Sequence, residues 1–522
     1  MLVYETLRHS AGLRPDHPAV LGGGRTLTYD QLHDRVIRLA NVLREDFGIK
    51  PEGRVALLSR NRPEMVEVFF AAALGGWTCV PINYRLAPAE VAEIVADAEP
   101  SLFIAEPELG DLVEAVRQGG FDRPLVWLGD EEAAPAAGQA YEQLLGRGSP
   151  LAPDAVVPYD ATLLQMYTSG TTGRPKGVML TQANLMANSW THQAERSVVP
   201  DDRYLTTAPL CHLAAASRML LLVHAGATHI IEAGFDAERV VAAVAAGRAN
   251  STLVVPAMMR DLLDAARVSP TPIAGLIRQL TYGASPMSPD LLGEAMEVLS
   301  CDFQQGYGLT ESSPTLTLLS PRDHMPLPSG EYGPQLASVG REASGVRVRV
   351  VDADDRDVAP GEVGEVIARG PNVMRGYWRR PEQTAAALRG GWLRTGDLAR
   401  LDERGYLYLV DRIKDMLVSG GINVYPREIE RQLEQHPAVA EVAVVGMPDE
   451  RFGEVPLAFV VRATDAAGEE PDEAAFSSFL EPRLARFKRP RRYLFLAEMP
   501  RNAAGKVVKR ELRRRLDAEV LR

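Results

Sequence analysis

Short apolar runs alternate with helix-length segments through the first three quarters of the chain. Such alternation is typical of βα units arranged around mostly parallel sheets. We therefore predict an α/β fold with a large N-terminal domain. The predicted strands are residues 55–59, 101–105, 125–128, 163–167, 229–232, 252–255 and 280–282.

The pattern changes after about Gly340. Residues 346–351 and 361–366 alternate apolar with polar residues or glycine, which indicates antiparallel strands and turns. A last unit begins near Asp411 and has the size of a small α+β domain, about 110 residues. Its predicted elements are a helix over 426–435, strands over 441–445 and 457–461, a helix over 473–486 and a strand over 493–496.

The chain has 522 residues, and 46% of them are hydrophobic. This is more than one compact core accommodates, so we expect two or more domains. Three cysteines, Cys79, Cys211 and Cys301, lack the spacing of a disulfide framework or a zinc site, so we expect a reducing, cytoplasmic location. No segment reaches the roughly 20 apolar residues of a membrane span. The first 20 residues, which are interrupted by charges, also do not build the apolar stretch of a signal peptide.

The formal net charge of −12 argues against nucleic acid as a partner, because phosphate contacts require a basic surface. Arginine and lysine nevertheless concentrate between Arg483 and Arg515. That stretch is either a solvated charged face or a docking surface for an anionic ligand.

The strongest local feature is the segment from Tyr167 to Gly177, which follows an apolar strand and contains three glycines, four serine or threonine hydroxyls and Lys176. Glycines let backbone N–H groups surround an anion, while hydroxyls and lysine add donors and charge. It is not a Walker A loop, because Gly177 rather than Ser or Thr follows Lys176. Composition alone would also allow a surface loop rich in turn-forming residues.

Three further segments carry candidate chemistry. In residues 303–311, Tyr307 can stack on a ring, Thr310 can contact a phosphate and Glu311 can bind a hard cation. In residues 391–397, a carboxylate beside a tight glycine turn can accept the hydroxyls of a ribose. In residues 500–506, a glycine-containing loop presents one lysine. Taken alone, these segments also have ordinary structural explanations: Tyr307 can be a packed residue, Glu311 a solvated one, and the glycine-containing segments simple turns.

Together these segments resemble the adenylate-forming superfamily of acyl-CoA synthetases, nonribosomal peptide adenylation domains and luciferases, from residue 27 to residue 506. The resemblance implies an N-terminal adenylation domain over 1–411 that includes a small β-barrel-like subdomain. It implies a hinge over 412–415, at Lys414 or Asp415, and a mobile C-terminal domain over 416–522.

The resemblance also assigns roles to single residues. Residues 168–176 would wrap the ATP phosphates, Tyr307 would stack on adenine, and Glu311 would bind Mg²⁺. Lys506 would bridge the carboxylate and the α-phosphate, with Thr310 and the gating His212 as further catalytic residues. The implied ATP and AMP contacts are Thr168, Ser169, Gly170, Thr171, Thr172, Gly173, Lys176, Gly283, Ala284, Ser285, Gly306, Tyr307, Gly308, Thr310, Asp397 and Arg412.

For the second half-reaction, the resemblance implies coenzyme A as cosubstrate and a C-terminal domain that rotates between the two steps. Glycines would line the pantetheine tunnel, while arginine and aromatic side chains would meet the CoA nucleotide. The implied CoA contacts are Gly420, Gly421, Phe452, Phe487, Arg489 and Arg491.

The acyl pocket implied by the resemblance includes Cys211, His212, Tyr282 and Gln305. Cys211 replaces a usual aromatic residue, residues 214–216 are small, and no acidic residue stands where amino-acid-activating relatives bind an ammonium group. We expect a fatty-acyl-CoA ligase. The alternatives are an aryl-acid CoA ligase, an enzyme that loads an acyl carrier protein or forms an amide, and a non-catalytic nucleotide-binding protein. The expectation of a homodimer rests on analogy with similar enzymes that form dimers.

Overall fold

The computed structural model describes residues 2–130, 138–169, 175–283, 287–327, 329–419, 422–449, 451–463, 472–502 and 505–520, except the side chains of Ser169 and of residues 517–520. The α-helices among them are α1 (Val3–Leu13), α2 (Tyr29–Glu45), α3 (Pro63–Gly75), α4 (Pro88–Ala98), α5 (Gly110–Gln118), α6 (Tyr141–Arg147), α7 (Gln182–Ala194), α8 (Leu213–Ala225), α9 (Ala237–Ala245), α10 (Pro256–Val268), α11 (Pro289–Leu299), α12 (Pro381–Ala387), α13 (Pro426–Leu433), α14 (Glu473–Leu480) and α15 (Lys509–Val520). Short 3₁₀ helices cover Pro107–Leu109, Thr310–Ser312, Pro321–His324, Pro334–Ala337, Arg389–Gly391 and Arg486–Lys488.

The strands are β1 (Pro18–Gly22), β2 (Arg25–Thr28), β3 (Arg54–Leu58), β4 (Thr78–Ile82), β5 (Leu102–Ala105), β6 (Leu125–Trp127), β7 (Gln139–Ala140), β8 (Thr162–Ser169), β9 (Pro175–Thr181), β10 (Arg203–Thr206), β11 (Thr228–Ile231), β12 (Ser251–Val254), β13 (Gln279–Gly283), β14 (Asp302–Tyr307), β15 (Thr317–Leu319), β16 (Arg341–Glu342), β17 (Arg347–Val351), β18 (Gly364–Arg369), β19 (Gly376–Tyr377), β20 (Leu393–Leu401), β21 (Leu407–Arg412), β22 (Leu417–Ser419), β23 (Ile422–Val424), β24 (Val439–Asp449), β25 (Gly453–Arg462) and β26 (Arg492–Phe495).

The chain divides into two compact units. The first comprises Met1–Val348, Ala368–Arg394 and Gly405–Leu407. The second comprises Arg349–Ile367, Thr395–Arg404 and Tyr408–Arg522. The predicted domain boundaries at 411 and 416 stay a prediction.

The described strands of the first unit build two large sheets. One has nine strands in the order β16-β15-β14-β13-β12-β10-β11-β1-β2, and the other has eight in the order β19-β9-β8-β4-β3-β5-β6-β7. Strands β10 to β14 are parallel, as are β3 to β6, which is the pattern predicted from the βα alternation. Each predicted strand of this region matches an observed strand to within a residue or two.

Helices cover the nine-stranded sheet according to which side of a strand a residue faces. Leu280 and Tyr282 of β13 pack with Phe303 of β14 against α9, α10 and α11 in one apolar cluster. The intervening Thr281 hydrogen-bonds Arg218 of α8, so α8 lies on the opposite face of β13. Helix α8 is buried over nearly its whole length, which fits its apolar sequence.

Most of the sheet β17-β18-β20-β21 belongs to the second unit, together with the sheet β23-β22-β25-β24, to which β26 adds beside β25. Helices α13 and α14 pack their apolar residues with β22, β24 and β25, and α15 packs with β24 and β25. This is the predicted α+β arrangement.

The predicted end of one helix in this part of the chain was wrong for a local reason. Helix α14 ends at Leu480 instead of Arg486, because Pro482 has no N–H with which to continue the helical ladder. Over 361–366 the structure has the predicted turn and strand: Gly361 adopts a φ of 88° in a turn, and β18 begins at Gly364.

None of the described helices has both the length and the apolar character that crossing a membrane requires. Cys79, Cys211 and Cys301 are free thiols.

A buried ionic network ties three helices of the first unit together. Glu67 of α3 is fully buried, accepts hydrogen bonds from two nitrogens of Arg35 in α2, and accepts another from the Tyr141 hydroxyl of α6. Arg35 also contacts Glu142. Burial raises the pKa of Glu67, whereas the charge of Arg35 opposes that rise.

We expect Arg35→Met to lower the free energy of unfolding of the first unit by about 3 to 5 kcal/mol, because it leaves the Glu67 carboxylate buried without its cation. Urea titration followed by tryptophan fluorescence measures the change. Arg8→Met is the control, because Arg8 forms only an exposed pair with Glu5 and should cost less than about 1 kcal/mol. Equal losses in the two variants would contradict the assignment.

Candidate active site

The predicted phosphate loop connects two antiparallel strands, β8 and β9. Thr168 pairs with Lys176, and Tyr167 pairs with Gly177. The predicted contacts Gly170, Thr171, Thr172 and Gly173 lie outside the described residues, as does the side chain of Ser169. A hairpin therefore presents Thr168 and Lys176 on either side of the loop.

The base of this hairpin is fixed by polar contacts. The Tyr167 hydroxyl donates to Asp97 Oδ2 at 2.7 Å, and burial together with the Asp97 carboxylate raises the pKa of Tyr167. Trp378 donates its backbone N–H to the Gly177 carbonyl and its indole N–H to the Asp97 carbonyl. These bonds hold both strands of the hairpin to α4 and to the segment after β19.

The carboxyl ends of β13 and β14 lie side by side, with Gly283 paired to Gly306. A Cβ atom on Gly283 would lie 2.6 Å from the Gly306 carbonyl oxygen, so the neighbouring strand excludes a side chain there. Gly308 is equally constrained, because a Cβ would overlap the Pro314 carbonyl oxygen. Tyr307 lies between the glycines at 306 and 308 and is half-buried. Ala284 and Ser285 lie outside the described residues.

One tyrosine connects the predicted cation ligand to the predicted phosphate lysine. Tyr377 of β19 donates its hydroxyl to Glu311 Oε1 at 2.8 Å. The Lys176 ammonium lies 5.2 Å from the centroid of the Tyr377 ring, within cation–π range. Burial and the Glu311 carboxylate raise the pKa of Tyr377, so the hydroxyl keeps its proton and donates to Glu311.

Glu311 follows Thr310 in a short 3₁₀ helix, and its backbone carbonyl accepts the Met374 N–H. Within the described residues, no cluster of three or more His, Cys, Asp or Glu side chains could hold a metal ion by itself. A single carboxylate fits Mg²⁺, which proteins commonly bind through one or two carboxylates together with substrate phosphates.

In the second unit, Arg412 donates from Nε to Asp397 Oδ1 at 2.7 Å. The Ile413 N–H donates to the carbonyl of Gly396, whose φ of 70° turns the backbone just before Asp397. Strands β20 and β21 thus bring together Asp397, the carboxylate predicted to hold the ribose, and Arg412, another predicted ATP and AMP contact.

Lys506 lies near this pair within the same unit. Partial removal from water lowers its pKa, the charges of Arg412 and Lys414 lower it further, and Asp397 opposes them. The Asn502 side chain accepts the Lys506 N–H, which closes the tight turn that presents the lysine.

The predicted hinge residues Lys414 and Asp415 follow directly after β21. Asp415 is buried and pairs with Arg513 of α15 at 3.0 Å. Burial and the charge of Arg412 lower the pKa of Lys414.

The residues predicted to contact CoA fall into separate groups. Arg491 lies 5.5 Å from the centroid of the Phe452 ring, whereas Phe487 is exposed. Arg489 is engaged locally by the Leu484 carbonyl and by Glu481. Gly420 and Gly421 lie outside the described residues.

His212 is the N-cap residue of α8, directly after the buried Cys211, whose thiol pKa burial raises to about 12. The preceding loop is held by Asn61, which donates to the Ala208 and Glu232 carbonyls and accepts the Leu210 N–H. Asn61 thereby fixes the backbone that leads to both predicted pocket residues.

The structure places Tyr282 and Gln305, the predicted acyl-pocket residues of β13 and β14, on the face of the sheet away from α8, and their role stays a prediction. Tyr282 belongs to the apolar cluster under α10 and α11, and its hydroxyl contacts His324 Nε2 at 2.8 Å. Gln305 shares that face with Phe303 because side chains alternate along a strand. Thr281 and Gln304, which pair with each other, face the opposite side, toward α8.

Sequence reasoning missed Tyr377, Asn61 and Arg218. Tyr377 lies 66 residues from its partner Glu311, and Asn61 lies 147 residues from Ala208. The only local signal was the position of Asn61 directly after a buried strand, where loops of α/β folds often carry function.

Family models match both parts of the chain. The AMP-binding enzyme model covers residues 7–378, and the AMP-binding enzyme C-terminal domain model covers residues 428–506. The predicted fold class, a large N-terminal α/β domain followed by a small C-terminal domain, is confirmed.

Relatives of known name align over nearly the full length. The chain is 39% identical to the fatty acid–[acyl-carrier-protein] ligase ScoC of Streptomyces coeruleorubidus, over 98% of this chain and 96% of that protein. It is 38% identical to the feruloyl-CoA synthase of an Amycolatopsis species, over 97% of both. It resembles o-succinylbenzoate coenzyme A synthetase from Bacillus subtilis, solved in complex with ATP and magnesium ion, with a TM-score of 0.83 and 28% identity over 97% of this chain and 99% of that one. The chain therefore belongs to the AMP-binding, adenylate-forming family of enzymes, as an AMP-forming acid–thiol ligase.

Proposed function

We propose that this enzyme activates a carboxylic acid with ATP and Mg²⁺ as an acyl-adenylate, releases pyrophosphate, and transfers the acyl group to coenzyme A. The observation that carries the proposal is the contact of Tyr377 with both Glu311 and Lys176. Tyr377 thereby brings the predicted cation ligand Glu311 and the predicted phosphate-binding lysine Lys176 together in the first unit. A bound nucleoside triphosphate needs both.

In the adenylation step, a carboxylate oxygen attacks the α-phosphorus of ATP while the bond to pyrophosphate breaks. Thr168 and Lys176 hold the phosphates, Tyr307 stacks on adenine and Glu311 binds Mg²⁺, which neutralises phosphate charge. Because two anions react, positioning and charge neutralisation matter more than proton transfer. In the second unit, Asp397 and Arg412 hold the ribose, and Lys506 stabilises the charge of the reacting oxygens.

In the transfer step, the CoA sulfur attacks the acyl carbon and AMP leaves. Phe452 and Arg491 are the described pair best suited to an adenine ring and a phosphate, because one offers a π-face and the other a guanidinium. Phe487, Arg489, Gly420 and Gly421 stay predictions for the same step, as do the gating His212 and the hinge at Lys414 or Asp415.

A second acceptor is favoured by one specific observation, the 39% identity to a fatty acid–[acyl-carrier-protein] ligase. In that case the basic segment from Arg483 to Arg515 would bind an acidic carrier protein instead of the CoA nucleotide. The acid itself is either aliphatic or aryl, since both kinds appear among the names of the relatives.

The test of the proposal is pyrophosphate release from ATP and Mg²⁺ with a panel of fatty and aryl acids. Each acid is assayed alone, with CoA, and with a carrier protein bearing phosphopantetheine. We expect release that requires an acid and increases with CoA. If the carrier protein increases pyrophosphate release and CoA does not, the acyl acceptor is the carrier protein instead of CoA. Silence with every acid would overturn the ligase.

We expect Lys506→Ala to slow acyl-AMP formation by about 100- to 1000-fold, because it removes one charge that stabilises the reacting oxygens. Transfer from supplied acyl-AMP to CoA should stay near the wild-type rate. Single-turnover assays of the two steps measure this difference, with Arg356→Ala, which removes an exposed charge of the second unit, as the control. Equal losses in both steps would refute a role confined to adenylation.

We expect Tyr377→Phe to raise the Mg²⁺ concentration needed for half-maximal adenylation by about tenfold, because the hydroxyl that orients Glu311 is lost. The KM for the acid should not change. Titration of Mg²⁺ at saturating ATP measures the shift, and Tyr159→Phe, at an exposed tyrosine, is the control. An unchanged Mg²⁺ dependence would show that Tyr377 only packs against its neighbours.

A further inference from the structure

Arg218 is a buried cation inside the first unit. It lies on α8, is 6% exposed, and directs its guanidinium toward the nine-stranded sheet. One terminal nitrogen lies 3.4 Å from the Thr281 hydroxyl, and Cζ lies 5.6 Å from the centroid of the Tyr204 ring. The charged group is therefore held between α8, β10 and β13.

Arg218 has no counter-ion within the described part of the chain. The other terminal nitrogen, Nη1, is buried and has no hydrogen-bond partner there. The acidic residue at the start of β10, Asp202, is already bound by two nitrogens of Arg278, each at 2.6 Å. A buried guanidinium without an anion is strongly unfavourable, so an anionic partner from outside the chain would stabilise it.

Two further buried side chains around Arg218 have unused hydrogen-bonding atoms. Gln304 pairs across the strands with Thr281 and is fully buried, and both atoms of its amide lack partners among the described residues. The hydroxyl of Tyr204 lacks one as well, within the same limits. A guanidinium, an amide N–H and a hydroxyl are together the donors that a carboxylate accepts.

Small residues lie between the predicted reaction centre and the layer of buried polar side chains around Arg218. Because side chains alternate along strands, the residues above Thr281 and Gln304 on the same face are Gly283 and Gly306. Ala214 lies four residues before Arg218, hence on the same face of α8 and beside His212. All three small residues are half-buried, whereas the polar layer beneath them is buried.

The spacing sets the size of a ligand that could reach this layer. Two residues of a strand span roughly 7 Å, and four residues of a helix span about 6 Å. An acid whose carboxyl group reacts beside Gly283 and Gly306 would thus place an atom five to seven bonds away next to Arg218.

We propose that Arg218, with Gln304 and Tyr204, binds a second anionic group at the far end of the acid substrate, so that the enzyme prefers dicarboxylic acids of medium length. This inference rests on the proposed function and narrows its substrate class. An unsubstituted alkyl chain bound in the same orientation would leave the guanidinium and the Gln304 amide unpaired.

The experiment compares acids of matched length in the pyrophosphate assay with wild-type enzyme and CoA. Heptanedioate carries the second carboxylate, octanoate replaces it with an alkyl end, and heptanoate with a terminal hydroxyl supplies a neutral polar end. We expect kcat/KM for heptanedioate to exceed that for octanoate by about 100-fold, the scale of a buried charge-assisted contact. The hydroxyl acid should fall between them.

Arg218→Met should abolish or reverse this preference by lowering kcat/KM for heptanedioate and sparing or raising that for octanoate. Arg218→Lys should keep part of the preference, and Arg239→Met, which removes an exposed charge on α9, should keep all of it. If Arg218→Met does not fold, Gln304→Leu and the wild-type comparison still decide.

Each outcome separates the inference from the ligase activity. Turnover of octanoate equal to or faster than that of heptanedioate by the wild-type enzyme would overturn the inference and leave the ligase intact. A preference for heptanedioate that survives Arg218→Met would also overturn it. Absence of turnover with every acid would remove the proposed function and this inference with it.

Discussion

The close pairing of Gly283 with Gly306 is the constraint on which the rest of the site depends. The neighbouring strand leaves no room for a Cβ at Gly283, so the ends of β13 and β14 present backbone where other positions present side chains. An adenylating enzyme needs such a place, because a carboxylate and a phosphate must approach each other closely. Tyr307 follows immediately on β14, so one strand end offers both an open surface and an aromatic face.

Two arginines of the first unit, the half-buried Arg35 and the buried Arg218, show how the same residue type serves opposite purposes. Arg35 lies between the carboxylates of Glu67 and Glu142, and its charge is neutralised within the fold. Among the described residues, the Arg218 guanidinium hydrogen-bonds the Thr281 hydroxyl and lies beside the Tyr204 ring. The first arrangement stabilises the contact between helices. The second leaves a buried guanidinium nitrogen without a hydrogen-bond partner among the described residues, at the end of a surface made of small residues.

Local patterns in the sequence were sufficient for most of the fold. Parallel strands and their helices follow from the alternation of apolar runs with longer segments, and the strand boundaries agree closely. The wrong boundary at the end of α14 reflects a proline whose local effect outweighed the periodic pattern. The motifs also indicated the phosphate hairpin and the Asp397–Arg412 pair, which the structure brings together.

The substrate side of the site could not be predicted in the same way, for two physical reasons. A shift of one residue along a strand moves a side chain to the other face, and motif matching alone does not show that Tyr282 packs under α10 and α11 whereas Thr281 faces α8. Arg218 has no local signal at all: a single arginine in an apolar helix is equally compatible with a surface position, and Thr281 lies 63 residues away. The role of Arg218 depends on the absence of a carboxylate partner among the described residues, and only the folded structure shows that absence. The motifs therefore indicate the chemistry shared by adenylate-forming enzymes, whereas the selection of the acid that we propose for Arg218 rests on buried side chains that only long-range packing brings together.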